Sequence, residues 1–126
     1  MDKNIASLVS KAKKDRSVIA ITIFGSKARG EQFRDIDICI FLRSRNHNSS
    51  FLSHKKLEYT LSSPKYDTHL FDQLPLYVQR EVVRDAIIVY VKNENILYDI
   101  FFRTLRDFEH FEPIYTSYLK GVANED

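Results

Sequence analysis

Seven consecutive apolar or β-branched residues, Val18 to Phe24, are cut off by Gly25-Ser26. The run is far too short for the ~20 residues that cross a membrane. Its β-branched content reads as a buried strand. The chain must therefore build a sheet around it, and the flanking segments indicate which kind. Ile5, Leu8, Val9 and Ala12 share one face at helical spacing, which predicts an amphipathic helix over 3–15. Asp35 to Leu42 alternates, with Asp35, Asp37, Cys39 and Phe41 on one face and Ile36, Ile38, Ile40 and Leu42 on the other. Residues 43–50 are polar and read as a loop. A helix from about Leu52 to the Ser62-Ser63-Pro64 break follows. Tyr66 to Phe71 is a third strand, Leu74 to Asp85 a helix with Pro75 in its first turn, and Ile87 to Val91 a fourth strand. A helix from Asn95 to about Phe108 is expected to be interrupted by Pro113, with a short helix near Tyr115 to Leu119 after it. Lys27-Ala28-Arg29 reads as the start of one more short helix, ended by Gly30. The resulting order is that of an α/β (α+β) protein, a sheet of about four strands flanked by helices.

Length and composition narrow the class further. With 126 residues, 44% hydrophobic and 29% charged, residues 1–126 are expected to form one soluble globular domain. No apolar leader follows Met1. The single cysteine, Cys39, has no partner for an internal disulfide, so a cytoplasmic location is expected. Residues 1–63 carry twelve Lys/Arg and six Asp/Glu, whereas 64–126 carry seven and eleven. A basic first half favours anionic ligands, but a net charge of +2 is no nucleic-acid signature. The four histidines, His47, His54, His69 and His110, show no zinc-ligand spacing. The Tyr and Phe stripe from Leu97 to Tyr118 reads as core or as a dimer surface, and a homodimer is one expectation for the chain.

The chemistry concentrates at the end of the first strand. Gly25 lets the backbone approach a ligand closely and Ser26 adds a hydroxyl, at what would be the N-terminus of a helix, where free N–H groups favour a phosphate. Lys27 and Arg29 add positive charge. Asp35 and Asp37 lie two positions apart on the next strand and so share a face. Two unpaired carboxylates repel each other unless a cation lies between them. Beside a phosphate cradle such a pair suits Mg²⁺. Asp67 opens the third strand in the same way. Three such carboxylates can hold two divalent ions ~3.5–4 Å apart and support in-line displacement at phosphorus. His69 shares a face with Asp67, although a histidine there is more often packed or hydrogen-bonded than a ligand. Cys39 lies deeper on the Asp37 face and reads as a small core residue. Lys13-Lys14 and Lys55-Lys56 read as exposed helix charges.

Phe24-Gly25-Ser26, Ala28-Arg29-Gly30 and then Asp35-Ile36-Asp37-Ile38 resemble the signature of the DNA polymerase β-like nucleotidyltransferase superfamily, and within it the minimal nucleotidyltransferase (MNT) family. Asp67, Pro75, the helix to Asp85 and the apolar strand after it extend the resemblance over most of the chain from about residue 17. The resemblance implies that Gly25 and Ser26 bind phosphate and that Arg29 touches it. It implies that Asp35, Asp37 and Asp67 are the metal-binding and catalytic carboxylates. It also implies transfer of a nucleoside monophosphate, AMP from ATP, to an acceptor hydroxyl with Mg²⁺ as cofactor. The chain has no room for a separate nucleic-acid-binding domain. MNT proteins commonly act with a helical HEPN partner, several as antitoxins that adenylylate it, so protein adenylylation in a toxin–antitoxin pair is the leading expectation. Two departures from the family pattern support a rival. The spacer between Ser26 and Asp35 is short, and Arg34 stands where a serine is usual. The rival is a catalytically weak or inactive module that neutralises or scaffolds its partner by binding.

Overall fold

In the computed structural model, which describes residues 3–25, 36–44 and 46–123 (excepting the side chains of Tyr115, Val122 and Ala123), the run from Val18 to Phe24 is an interior strand, β1. All seven of its residues are buried. It pairs antiparallel with β2, Ile36–Leu42, on one side and with β4, Ile87–Val91, on the other. Beyond β2 lies β3, Tyr66–Leu70, in parallel, so the sheet order is β3-β2-β1-β4. The architecture is the expected mixed four-stranded sheet with flanking helices.

A strand apolar on both faces needs cover on both. One face of the sheet presents Ile21, Ile23, Ile38, Ile40 and Leu42 to Ile5, Leu8 and Ala12 of α1, Lys3–Lys14, and to Tyr59 of α2, Ser49–Ser62. The other face presents Ile19, Ala20, Phe24, Cys39 and Phe41. These pack with Phe71, with Val82 of α3, Leu76–Asp85, and with Leu97 and Ile100 of α4, Glu94–Ala123. The alternation of β2 sorts its residues between these layers. Phe41 stacks on Phe71 with centroids 4.6 Å apart, a pairing worth about 1 kcal/mol beyond burial.

Several boundaries differ from expectation for local reasons. The Asn48 side chain accepts the Phe51 N–H at 2.8 Å, an N-cap that starts α2 at Ser49, inside the expected loop. Strand β3 stops at Leu70, and Phe71–Gln73 form a 3₁₀ turn. Pro75 is the extended N-cap of α3 (ψ 154°), just outside the first turn. Pro113 does not interrupt α4, which runs through it. The lost hydrogen bond is the one to the Glu109 carbonyl. Both residues are exposed, so the freed carbonyl is open to solvent. The described Tyr and Phe side chains of α4 are not core. Phe101 is half-buried against the sheet, whereas Tyr98, Phe102 and Tyr118 stand 43%, 71% and 66% exposed, and Ile114 is 69% exposed. The buried residues of the helix are Leu97, Ile100 and Thr104. The short helix expected from Lys27 lies outside the described residues. Among the described residues no helix is long and apolar enough to cross a membrane.

Candidate functional site

The C-terminal end of β1 and the N-terminal ends of β2 and β3 meet at one edge of the sheet. Phe24 faces Asp37 across the antiparallel ladder, and Asp37 faces Asp67 across the parallel one. Side chains in register on neighbouring strands share a face, so the two carboxylates stand side by side. Gly25 follows at once with φ +77°, a conformation that favours glycine. A Cβ there would come within 2.7 Å of Asp37 Oδ2, so the turn needs glycine for space as well as for conformation. The result is bare backbone against a carboxylate.

Period-two geometry on β3 returns His69 to the face of Asp67. Its Nε2 lies 3.2 Å from Asp37 Oδ1 and 3.4 Å from Asp67 Oδ2. The Phe24 ring meets the imidazole edge-on at 5.4 Å. Burial raises the pKa of Asp37 above the ordinary carboxylate value. Asp67 pushes the same way, and His69 opposes both. Among the described residues Asp37, Asp67 and His69 bring their ligand-type atoms within 4.8 Å of one another. Two carboxylates and an imidazole, half-shielded and converging, fit a divalent cation.

The structure thus brings together Gly25, Asp37 and Asp67 of the expected site. Ser26, Arg29 and Asp35, together with Arg34, lie outside the described residues. His69 is the addition. Its face was readable from the strand period, but its approach to Asp37 depends on the register between β2 and β3. Cys39, one pair deeper, is buried as expected. Burial first, and the nearby Asp72 charge second, push its thiol well above the ordinary value, so it takes no part as a thiolate. An open hollow of about 610 Å³, lined in part by Arg43, Asn95, Asp99 and Arg103, lies past the far end of β2 and contains none of these groups.

A mixed sheet with adjacent carboxylates at the mouth of a glycine turn defines the nucleotidyltransferase fold. Residues 6–95 match the polymerase beta nucleotidyltransferase family, and the chain belongs to it. A protein of Methanocaldococcus jannaschii, provisionally named as a protein adenylyltransferase, is 33% identical over 75 residues. That match covers 58% of this chain and 56% of the relative, so the chain spans little more than half of that protein's length. Among solved structures, a chain of the MntA–HpeT toxin–antitoxin superposes with a TM-score of 0.71 at 15% identity, covering 98% of both chains. A chain from the toxin–antitoxin with AMP-PNP gives 0.70 at 15% identity, covering 95% and 96%. A third comes from a tri-AMPylated Shewanella oneidensis HEPN toxin in complex with MNT antitoxin. It gives 0.71 at 12% identity, covering 95% and 96%. At these identities the likeness is one of fold.

Proposed function

We propose that the chain transfers AMP from ATP to a hydroxyl on a HEPN-type partner protein, releasing pyrophosphate, and so serves as the MNT antitoxin of the pair. The observation that carries this reading is the seating of Asp37 and Asp67 side by side against the Gly25 turn. The named relatives guide the choice of donor and partner. One was solved with AMP-PNP and another beside a tri-AMPylated HEPN toxin.

Asp37 and Asp67, with Asp35, would hold Mg²⁺ in one or two positions. When bound, the metal neutralises the triphosphate and lowers the pKa of the attacking hydroxyl. The chain's own residues do the rest. The bare backbone at Gly25 admits the phosphates, which the Ser26 hydroxyl and the Arg29 guanidinium then hold. The acceptor oxygen attacks the α-phosphorus, the bond to the bridging oxygen of pyrophosphate breaks, and the hydroxyl proton passes to Asp67. Asp67 suits that role because its side chain is 59% exposed, within reach of a macromolecular acceptor. The exposed Ile114 and Tyr118 of α4 favour a second reading, neutralisation of the partner by contact alone.

A label-transfer assay separates the two. Purified chain, Mg²⁺ and α-labelled ATP are mixed with source-cell extract, beside an Asp35→Asn/Asp37→Asn control. The expected result is a labelled protein band that requires both aspartates. No band and no Mg²⁺-dependent ATP binding point to the contact-only reading, whereas ATP binding without a band points to a small-molecule acceptor. A band that survives in the control overturns the assignment of the carboxylates.

A further inference from the structure

We infer that His69 is itself a ligand of the bound cation, and that its imidazole shifts the site from Mg²⁺ toward a first-row transition ion. The inference rests on reading the carboxylate pair as a divalent-cation centre and adds a donor that the carboxylate set alone does not contain.

The distances bear on the role of this histidine. An imidazolium that merely neutralised the carboxylates would draw them to charge-assisted hydrogen-bond lengths of ~2.7–2.9 Å. The separations here are longer: 3.2 Å to Asp37, the length of an ordinary hydrogen bond, and 3.4 Å to Asp67. Two ligands on one ion with bonds of ~2.1 Å stand about 3.0 Å apart at a right angle and about 3.4 Å apart at the tetrahedral angle. The imidazole nitrogen thus hydrogen-bonds Asp37 in the metal-free chain and stands at a fellow ligand's spacing from both oxygens, which an ion can exploit by displacing the proton.

The ring is also held in place. Phe24 packs edge-on against it, and its chain neighbours Thr68 and Leu70 are 2% and 0% exposed, which anchors the backbone within β3. The side chain itself keeps 25% of its surface open, so an ion can reach the nitrogen from solvent. The chemistry then follows from ligand type. Mg²⁺ prefers an all-oxygen shell, whereas first-row transition ions accept nitrogen and oxygen together.

Mn²⁺ is the probe, because its paramagnetism reports the ligand directly. The metal-free chain, residues 1–126, is titrated with Mn²⁺ and, in competition, with Mg²⁺, and the Mn²⁺ complex is examined by pulsed electron paramagnetic resonance. The expected result is a coordinated ¹⁴N coupling in the wild type and tighter binding of Mn²⁺ than of Mg²⁺. In His69→Gln the coupling disappears, Mn²⁺ binds at least about tenfold more weakly, and Mg²⁺ binding changes by less than about threefold. A Mn²⁺ complex of the wild type without nitrogen coupling overturns the inference and needs no variant. Tighter binding of both ions by His69→Gln also overturns it, since His69 would then have been standing in for the cation. A wild type that binds neither ion removes the divalent-centre reading altogether, a result distinct from the loss of the nitrogen ligand alone.

Discussion

Asp15 and Asp37 are both largely shielded, with side chains 15% and 29% exposed, and they live under opposite conditions. Asp15 sits in the turn between α1 and β1 and accepts four hydrogen bonds. Ser17 gives its N–H at 3.0 Å and its hydroxyl at 2.6 Å, while Lys55 Nζ and the Tyr59 hydroxyl each give one at 2.9 Å. Burial alone would raise its pKa, but these donors outweigh burial and hold it at about 2. Asp37 has an imidazole nitrogen on one side and another carboxylate on the other, and burial raises it. A carboxylate that ties elements together is saturated with donors. One left short of donors, as Asp37 is, stays open to a cation.

The largest expected effect separates the two by function. Asp37→Asn should lower nucleotidyl transfer by about a thousandfold, while the melting temperature holds or rises because a like-charge contact with Asp67 is gone. Label transfer and a thermal melt on the same sample check both halves. Retained activity, or a large loss of stability, would break the contrast. Asp15→Asn should do the reverse. Replacing a charged acceptor that ties α1 to α2 should remove about 2 kcal/mol and lower the melting point by roughly 8 °C. Transfer per folded molecule should be unchanged.

The smallest effect is one of pH, read on metal-free protein melted between pH 6 and 2.5. With a folded pKa below its unfolded value of 3.8, Asp15 contributes stability that is present above 3.8 and lost as pH falls toward about 2. Asp37, raised, has the opposite sign. Its contribution is present at low pH and lost as pH rises through its folded pKa. Asp15→Asn should therefore flatten the acid loss and Asp37→Asn should steepen it. Equal slopes in the two variants would erase the comparison.

What could be read in advance follows from how local each property is. The alternation of Asp37, Cys39 and Phe41 against Ile36, Ile38 and Ile40 is a local period, and it sorted those residues into the correct layers. The turn at Gly25 and the carboxylate at 37 were legible for the same reason. Lys55, expected to be a solvated helix charge, instead binds Asp15, which lies forty residues away in the chain. No local pattern marks such a partner. The meeting of His69 with Asp37 has the same origin, since it exists only in the parallel register that sets Asp37 against Asp67. Pro113 erred the other way. Its helix-breaking tendency is local and real, but an exposed helix can surrender one hydrogen bond to water and continue.

That parallel register also has a consequence in time. Antiparallel β1 and β2 face each other across a short stretch of chain, but β2 and β3 meet only after residues 43–65 have folded back through α2. Closing that crossover loses chain entropy before any contact between the two strands repays it, so parallel pairings of this kind form late. Asp37, Asp67 and His69 are dispersed until then. Their meeting certifies that the crossover is complete, and an ion bound there, as proposed, would fasten a finished fold where it could not have seeded one.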